Sequence, residues 1–156
     1  MVNGPVNKSE KIRPGKPERK TLEEKGTREL EKILDRVFSE YIRLRDADKN
    51  GYCRCITCGK WYHWKNIHCG HFISRAVKSV RFDERNAAGQ CLYCNSYNQG
   101  RHHVYREKLV GIYGMEEVES LEQKARLGGC YDAYQLRELI AGYRPKVKAL
   151  KKEKCL

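Results

Sequence analysis

No run of about 18 apolar residues occurs in the 156-residue chain, so the sequence predicts no membrane-spanning helix. Large apolar side chains are scarce, with three Phe, two Trp and two Met, and the mean hydropathy is −0.81. A chain of this size fits one domain with tails and a small core, the kind that leans on a metal or disulfides for support. Acidic residues are in deficit, 20 Asp and Glu against 32 Lys and Arg, which gives a formal charge of +12. A surplus that large on a small domain points to a polyanionic partner. The opening residues Met1-Val2-Asn3-Gly4-Pro5 begin no apolar run, so no secretory signal is expected, and a cytoplasmic setting follows.

What the chain has in plenty is cysteine, eight in all. Without export the thiols stay reduced, and paired cysteines then favour metal over disulfide. Cys55-x2-Cys58 and Cys91-x2-Cys94 are the strongest local signals. A C-x2-C turn aims two thiolates at one centre, and two such turns make the closed tetrahedral site that structural zinc prefers. Such a site leaves no open position, so this metal holds the fold and performs no chemistry. Cys53 competes with Cys55 for the metal, but a strand would point it to the opposite face. Cys69, Cys130 and Cys155 are unassigned, and Cys155, second from the end, is in the wrong place for a prenylation box.

Along the chain, residues 1–20 read as a disordered basic arm, with Pro5, Pro14, Gly15 and Pro17 among Lys and Arg. Residues 21–50 read as an N-terminal helix. Thr21-Leu22-Glu23-Glu24 has capping-box form, although Gly26 moves the true start towards Thr27. Leu30, Ile33, Leu34, Val37, Phe38, Tyr41, Ile42 and Leu44 give it one apolar face. Asp46 to Gly51 imitates an EF-hand loop, but Thr57 stands where calcium needs a glutamate, so Asn50-Gly51 is a turn. Short strands are expected over 52–56, 60–62 and 67–73, a charged loop over 74–86, then a strand from Ala87. Trp61, Tyr62 and Trp64 read as core or knuckle packing, with stacking on an unpaired base as the alternative. Helices follow over about 103–113, 115–127 and 131–142, ending in a basic tail.

Between the cysteine pairs stand Cys69-Gly70-His71-Phe72-Ile73-Ser74-Arg75 and Arg81-Phe82-Asp83-Glu84-Arg85-Asn86, and Asn95 directly follows Cys94. A histidine, an asparagine and a third polar residue framed by C-x2-C pairs resemble the layout of an HNH nuclease. With Cys53-Arg54-Cys55-Ile56-Thr57-Cys58-Gly59-Lys60 before them and Tyr41 to Asp46 further upstream, residues 30–145 resemble the NinG/Rap recombination endonucleases of lambdoid phages.

That resemblance implies an α+β fold: an HNH ββα-metal core over 51–114 with a four-cysteine zinc knuckle, flanked by the N-terminal helix and by C-terminal helices over 115–156. It also implies cleavage of branched DNA, such as Holliday junctions and D-loops, with a catalytic Mg²⁺ or Mn²⁺ beside the structural zinc. A phage protein of this kind acts in the cytoplasm of its bacterial host. His71 matches the general base, Asn86 the residue bracing the loop, and Asn95 the position contacting the catalytic ion. The chemistry suits these types. A neutral imidazole can take a proton from water near pH 7, and an amide oxygen suits a hard cation.

Many HNH proteins place an acidic metal ligand just before the base, where this chain has Gly70. The missing ligand is then expected from Glu84, Asp83 or a nearby histidine such as His68. His102 and His103 are further candidates for the phosphate or the ion. Arg75, Lys78, Arg81, Arg85 and Arg101 are candidate phosphate clamps. A homodimer is expected, because a four-way junction has two symmetry-related strands to cut. The helix over 30–44 or the C-terminal helices would supply its interface. A non-catalytic zinc-ribbon nucleic-acid-binding protein also explains charge and cysteines, but leaves His71, Asn86 and Asn95 idle. A sequence-specific homing or restriction enzyme ranks lower for want of a second reading domain.

Overall fold

The structure, a computed structural model, describes residues 20–156. Apart from Lys20, the basic arm expected over 1–20 lies outside the described residues. The fold is mixed: four α-helices and two small antiparallel sheets among the described residues.

Helix α1 runs Thr27–Arg45, shorter than the 21–50 expected. The Glu24 carboxylate accepts from the Thr21 amide at 2.7 Å, half of a capping box, but the chain turns there. The extended Gly26 then offers its carbonyl to the amides of Glu29 and Leu30, both at 3.0 Å. Beyond the helix, the Asp48 carboxylate accepts from the amides of Asn50 (2.8 Å) and Tyr52 (2.9 Å). Gly51 sits at φ +80°, so this segment is the expected turn.

Strands β1 (Tyr52–Arg54) and β2 (Trp61–His63) pair antiparallel around the turn that carries Cys55 and Cys58. Strands β3 (His68–His71) and β4 (Ala87–Gln90) pair with His71 opposite Ala87 and His68 opposite Gln90. A long loop, 72–86, joins them. A π-helical turn over Tyr93–Tyr97 follows, then α2 (His102–Tyr113) and α3 (Met115–Leu127). Trp61 is exposed, against expectation, because β2 turns it outward, whereas Trp64 is buried.

Helix α4 runs Ala133–Lys154, far past the expected end at Gly142. Asp132 and Gln135 form a reciprocal capping box at its start. Pro145, inside the helix, costs about 3 kcal/mol. Burial of Leu136, Ile140, Tyr143 and Val147 against α1, about 1.5–3 kcal/mol for each large aliphatic side chain, outweighs it. Phe38 meets Tyr143 edge-on at 5.3 Å, and Lys151 pairs with Glu40 at 2.5 Å. The apolar faces of α1 and α4 thus cover each other within one chain, so they are not the free dimer surfaces expected of them. Lys146, Lys151 and Lys154 of the expected basic tail are likewise tied to Glu84, Glu40 and the carbonyls of Leu44 and Ala47.

A second core gathers Phe72, Val80 and Ala88 under Tyr105, Leu109, Val118 and Leu121. No described helix is long and apolar enough to cross a membrane.

Candidate functional site

Cys55, Cys58, Cys91 and Cys94 converge, with their sulfurs all within 4.8 Å of one another. The cluster could hold a metal such as zinc. Burial raises the Cys55 thiol, but the amide of Cys91 and the hydroxyl of Thr57 outweigh it and bring it to about 6. Burial, with the neighbouring Cys55 sulfur, pushes Cys58 up to about 12. All four would be thiolates together only around a cation, which is the arrangement a tetrathiolate metal site has. Cys53 is elsewhere, as the strand alternation implied: it is fully buried and donates to the Arg43 carbonyl at 3.1 Å.

Directly after Cys94, the π-helical turn carries Asn95 to a polar cleft of about 520 Å³ that His71 also lines. Strand β3 delivers His71 from one side, α1 contributes Ser39 and Arg43, and Arg75 and Lys65 stand at the margin. No carboxylate lines this cleft among the described residues. His68 lies at its exposed edge. Cys69 lines it too, but burial foremost, then Asp46, pushes the thiol up to about 12, which leaves it protonated and a poor nucleophile.

The His71 Nε2 lies 3.0 Å from the Arg81 carbonyl. A carbonyl only accepts, so Nε2 carries the proton and the Nδ1 lone pair is left free. Burial lowers the His71 pKa, partly offset by that carbonyl, and the nearby Arg75 lowers it further. The ring is therefore neutral at pH 7.

Asn86 does not line the cleft; it is fully buried and holds the loop that does. Its carbonyl oxygen accepts from the Ile73 amide at 2.7 Å. Its amide group donates to the carbonyls of Ile73 (3.0 Å) and Val80 (2.9 Å). Val80 precedes Arg81, whose carbonyl touches His71, so Asn86 fixes the histidine through one peptide unit.

Gly70 has its own reason. A Cβ there would stand 2.4 Å from the Gln90 Oε1 and 2.6 Å from the Gln90 Cβ. An acidic residue before His71 has no room in this chain.

Several residues proposed from the sequence fall elsewhere. Glu84 is no neighbour of Asn95 in the cleft: its carboxylate accepts from Tyr41 (2.8 Å), Tyr143 (3.1 Å) and Lys146 (3.1 Å), tying the loop to α1 and α4. Asp83 is held at about 2, since Arg85 and Lys124 outweigh its burial. Lys78 pairs with Glu31, Arg81 with both oxygens of Asp35, and Arg85 with Asp83 and Glu117. These three cations are spent inside the fold and are not free phosphate clamps. Arg101 forms no ion pair among the described residues, but it stands at the start of α2, outside the cleft lining. His102 stacks on Phe72 at 4.4 Å and the exposed His103 pairs with Glu107, so neither reaches the cleft.

The sequence reading missed Arg43 and Lys65. Arg43 is half-buried and preset, donating to the carbonyls of Ser39 (3.1 Å) and Trp64 (3.2 Å). Its position on α1 opposite the apolar stripe was the available signal.

A family model described as Bacteriophage Lambda NinG protein matches residues 6–153. Among curated relatives, "Protein ninG" of Escherichia phage 933W is 31% identical over 123 residues, covering 77% of this chain and 57% of the relative. "Protein ninG" of Salmonella phage P22 is 31% identical over 126 residues, with the same coverage. That of Escherichia phage lambda is 29% identical over 123 residues, 77% of this chain and 56% of the relative. The chain thus aligns with rather more than half the length of these relatives. No solved structure matches it. With nearly its whole length covered by the family model, the chain belongs to the NinG family of lambdoid phages.

Proposed function

We propose that this chain is a metal-dependent endonuclease that hydrolyses phosphodiester bonds in branched DNA, Holliday junctions and D-loops among them. In this reading β3, β4 and α2 form an HNH ββα-metal unit clamped by a structural zinc on Cys55, Cys58, Cys91 and Cys94. One observation carries it: a neutral imidazole with a free Nδ1 shares a cleft with Asn95, Arg43, Lys65 and Arg75, and no carboxylate among the described residues competes with a phosphate there.

The chemistry follows from those residues. Arg43 and Arg75 attract the phosphodiester into the cleft, and the preset guanidinium of Arg43 meets it without further ordering cost. The His71 Nδ1 accepts a proton from water attacking the phosphorus. The imidazolium so formed is stabilised by its Nε2–H bond to the Arg81 carbonyl, which Asn86 holds in place. The buried tetrathiolate set fits zinc. The neutral oxygen donor Asn95 fits a Mg²⁺ or Mn²⁺ ion that keeps waters and phosphate oxygens as its other ligands. When bound, such an ion supplies positive charge at the phosphate and the leaving 3′-oxygen. A homodimer would present two such clefts to the two strands of a four-way junction. A light-scattering mass tests that point.

The experiment is an incision assay on a four-way junction and on a linear duplex of equal length, with Mg²⁺ or Mn²⁺ and with EDTA. Cation-dependent nicking that favours the junction is expected. Binding of both DNAs with no incision under any condition would leave a zinc-bound nucleic-acid-binding protein.

A further inference from the structure

We propose that the solvent face of α1, carrying Arg28, Lys32 and Arg36 in line with Ser39 and Arg43, is the track for a duplex arm of the nucleic acid. This rests on the nuclease reading and names how the substrate approaches the cleft.

The sequence spacing 28, 32, 36, 39, 43 steps by four, four, three and four, which puts all five residues on one helical stripe. Ser39 and Arg43 at its far end line the cleft with His71. Arg28, Lys32 and Arg36 are exposed and form no ion pair among the described residues.

Three of the four acids of the same helix are spent, and only the exposed Glu29, beside Arg28 and Lys32, has no ion pair among the described residues. Glu31 pairs with Lys78, Asp35 with Arg81 and Glu40 with Lys151. Neighbouring elements therefore cancel most of the negative charge on α1 and leave its positive stripe. From Arg28 to Arg43 the stripe spans about 22 Å at the helical rise, enough to follow roughly six base pairs of duplex. Track and cleft form one continuous line, which matches an arm entering with one phosphate delivered to His71.

Helix α4 supplies a comparison. Arg144, Lys148 and Lys152 are also exposed at four-residue steps, but none of them lines the cleft.

The test measures binding of the full chain to a four-way junction by fluorescence anisotropy across a salt series. The triple variant R28Q/K32Q/R36Q is compared with R144Q/K148Q/K152Q, which carries the same net charge. The expected result is a log–log salt slope shallower by about 3 for the α1 variant, with affinity down about tenfold or more in 0.1 M salt. The α4 variant should stay close to wild type. Glutamine keeps helix propensity at exposed positions, so both variants should retain the wild-type unfolding midpoint. The charge-keeping R28K/R36K should bind as wild type. A wild-type slope in the α1 variant, or equal losses in both triples, overturns the track while leaving the nuclease reading intact. A wild-type protein that binds no DNA overturns both.

Discussion

His71 is half-buried beside Phe38, whose ring centroid lies 6.1 Å away, and its pKa is lowered, with burial as the leading cause. The consequence for stability has a definite sign. Below the ordinary value of 6.5, the unfolded chain takes up a proton at this residue that the folded chain refuses. Stability therefore rises with pH through that window, by at most about 1.4 kcal/mol per unit. It is flat above 6.5 on this account. Urea unfolding at several pH values between about 5 and 8 should show this fall on acidification, and H71N should reduce it. Equal acid sensitivity in both proteins would mean the ring is not desolvated as described. That residues 71 and 95 share a cleft was legible because His71 lies between the two cysteine pairs and Asn95 directly follows the second. The pairing of Lys78 and Arg81 was not: Glu31 and Asp35, which neutralise them, lie 47 and 46 residues away and meet them only through tertiary packing, and Arg85 adds the distant Glu117 to its local partner Asp83.

At the level of elements, β3 and β4 hold the site by close approach. Gln90 is fully buried under Gly70, its amide donating to the Gly100 carbonyl at 2.7 Å, while Tyr105 donates to the Gly70 carbonyl at 3.0 Å. Gly70→Ala drives its new methyl into the Gln90 Cβ, which is not a mobile end, so the strands must part. A loss of about 1–3 kcal/mol is expected, with Gly70→Ala/Gln90→Ala recovering part of it. Thermal unfolding of both variants checks this, and an unaffected Gly70→Ala would refute the close packing. Helix α1 was readable because its apolar period is strong and continuous. Helix α4 was not readable past residue 142. Gly142 and Pro145 are local breakers, and only the buried Tyr143 and Val147 carry the helix through them.

For the molecule as a whole, two apolar cores meet along a short pair of strands, and the cysteine cluster fastens one end. Asn95 follows Cys94 directly, and its backbone amide donates to the Cys91 carbonyl at 2.9 Å, so the four-cysteine knuckle positions one wall of the cleft. Purified protein is expected to carry one zinc per chain by atomic emission. Chelation or Cys91→Ser should lower the unfolding midpoint sharply, because a metal held by these four cysteines would add its binding energy to folding. Zinc-free protein with an unchanged transition would contradict that role. The gathering of the four cysteines was legible from their spacing, and the mixed helix-and-strand class from the family resemblance together with the local strand and helix patterns. The cleft's cationic wall was not, since Arg43 and Lys65 come from segments that read locally as helix surface and loop.

The most direct measurement is the single-turnover incision rate of a four-way junction by His71→Ala beside wild type, at saturating protein. The expected rate falls by about 10²–10⁴-fold, with zinc content and junction affinity unchanged. An undiminished rate in the variant would contradict the assignment of this imidazole as the base.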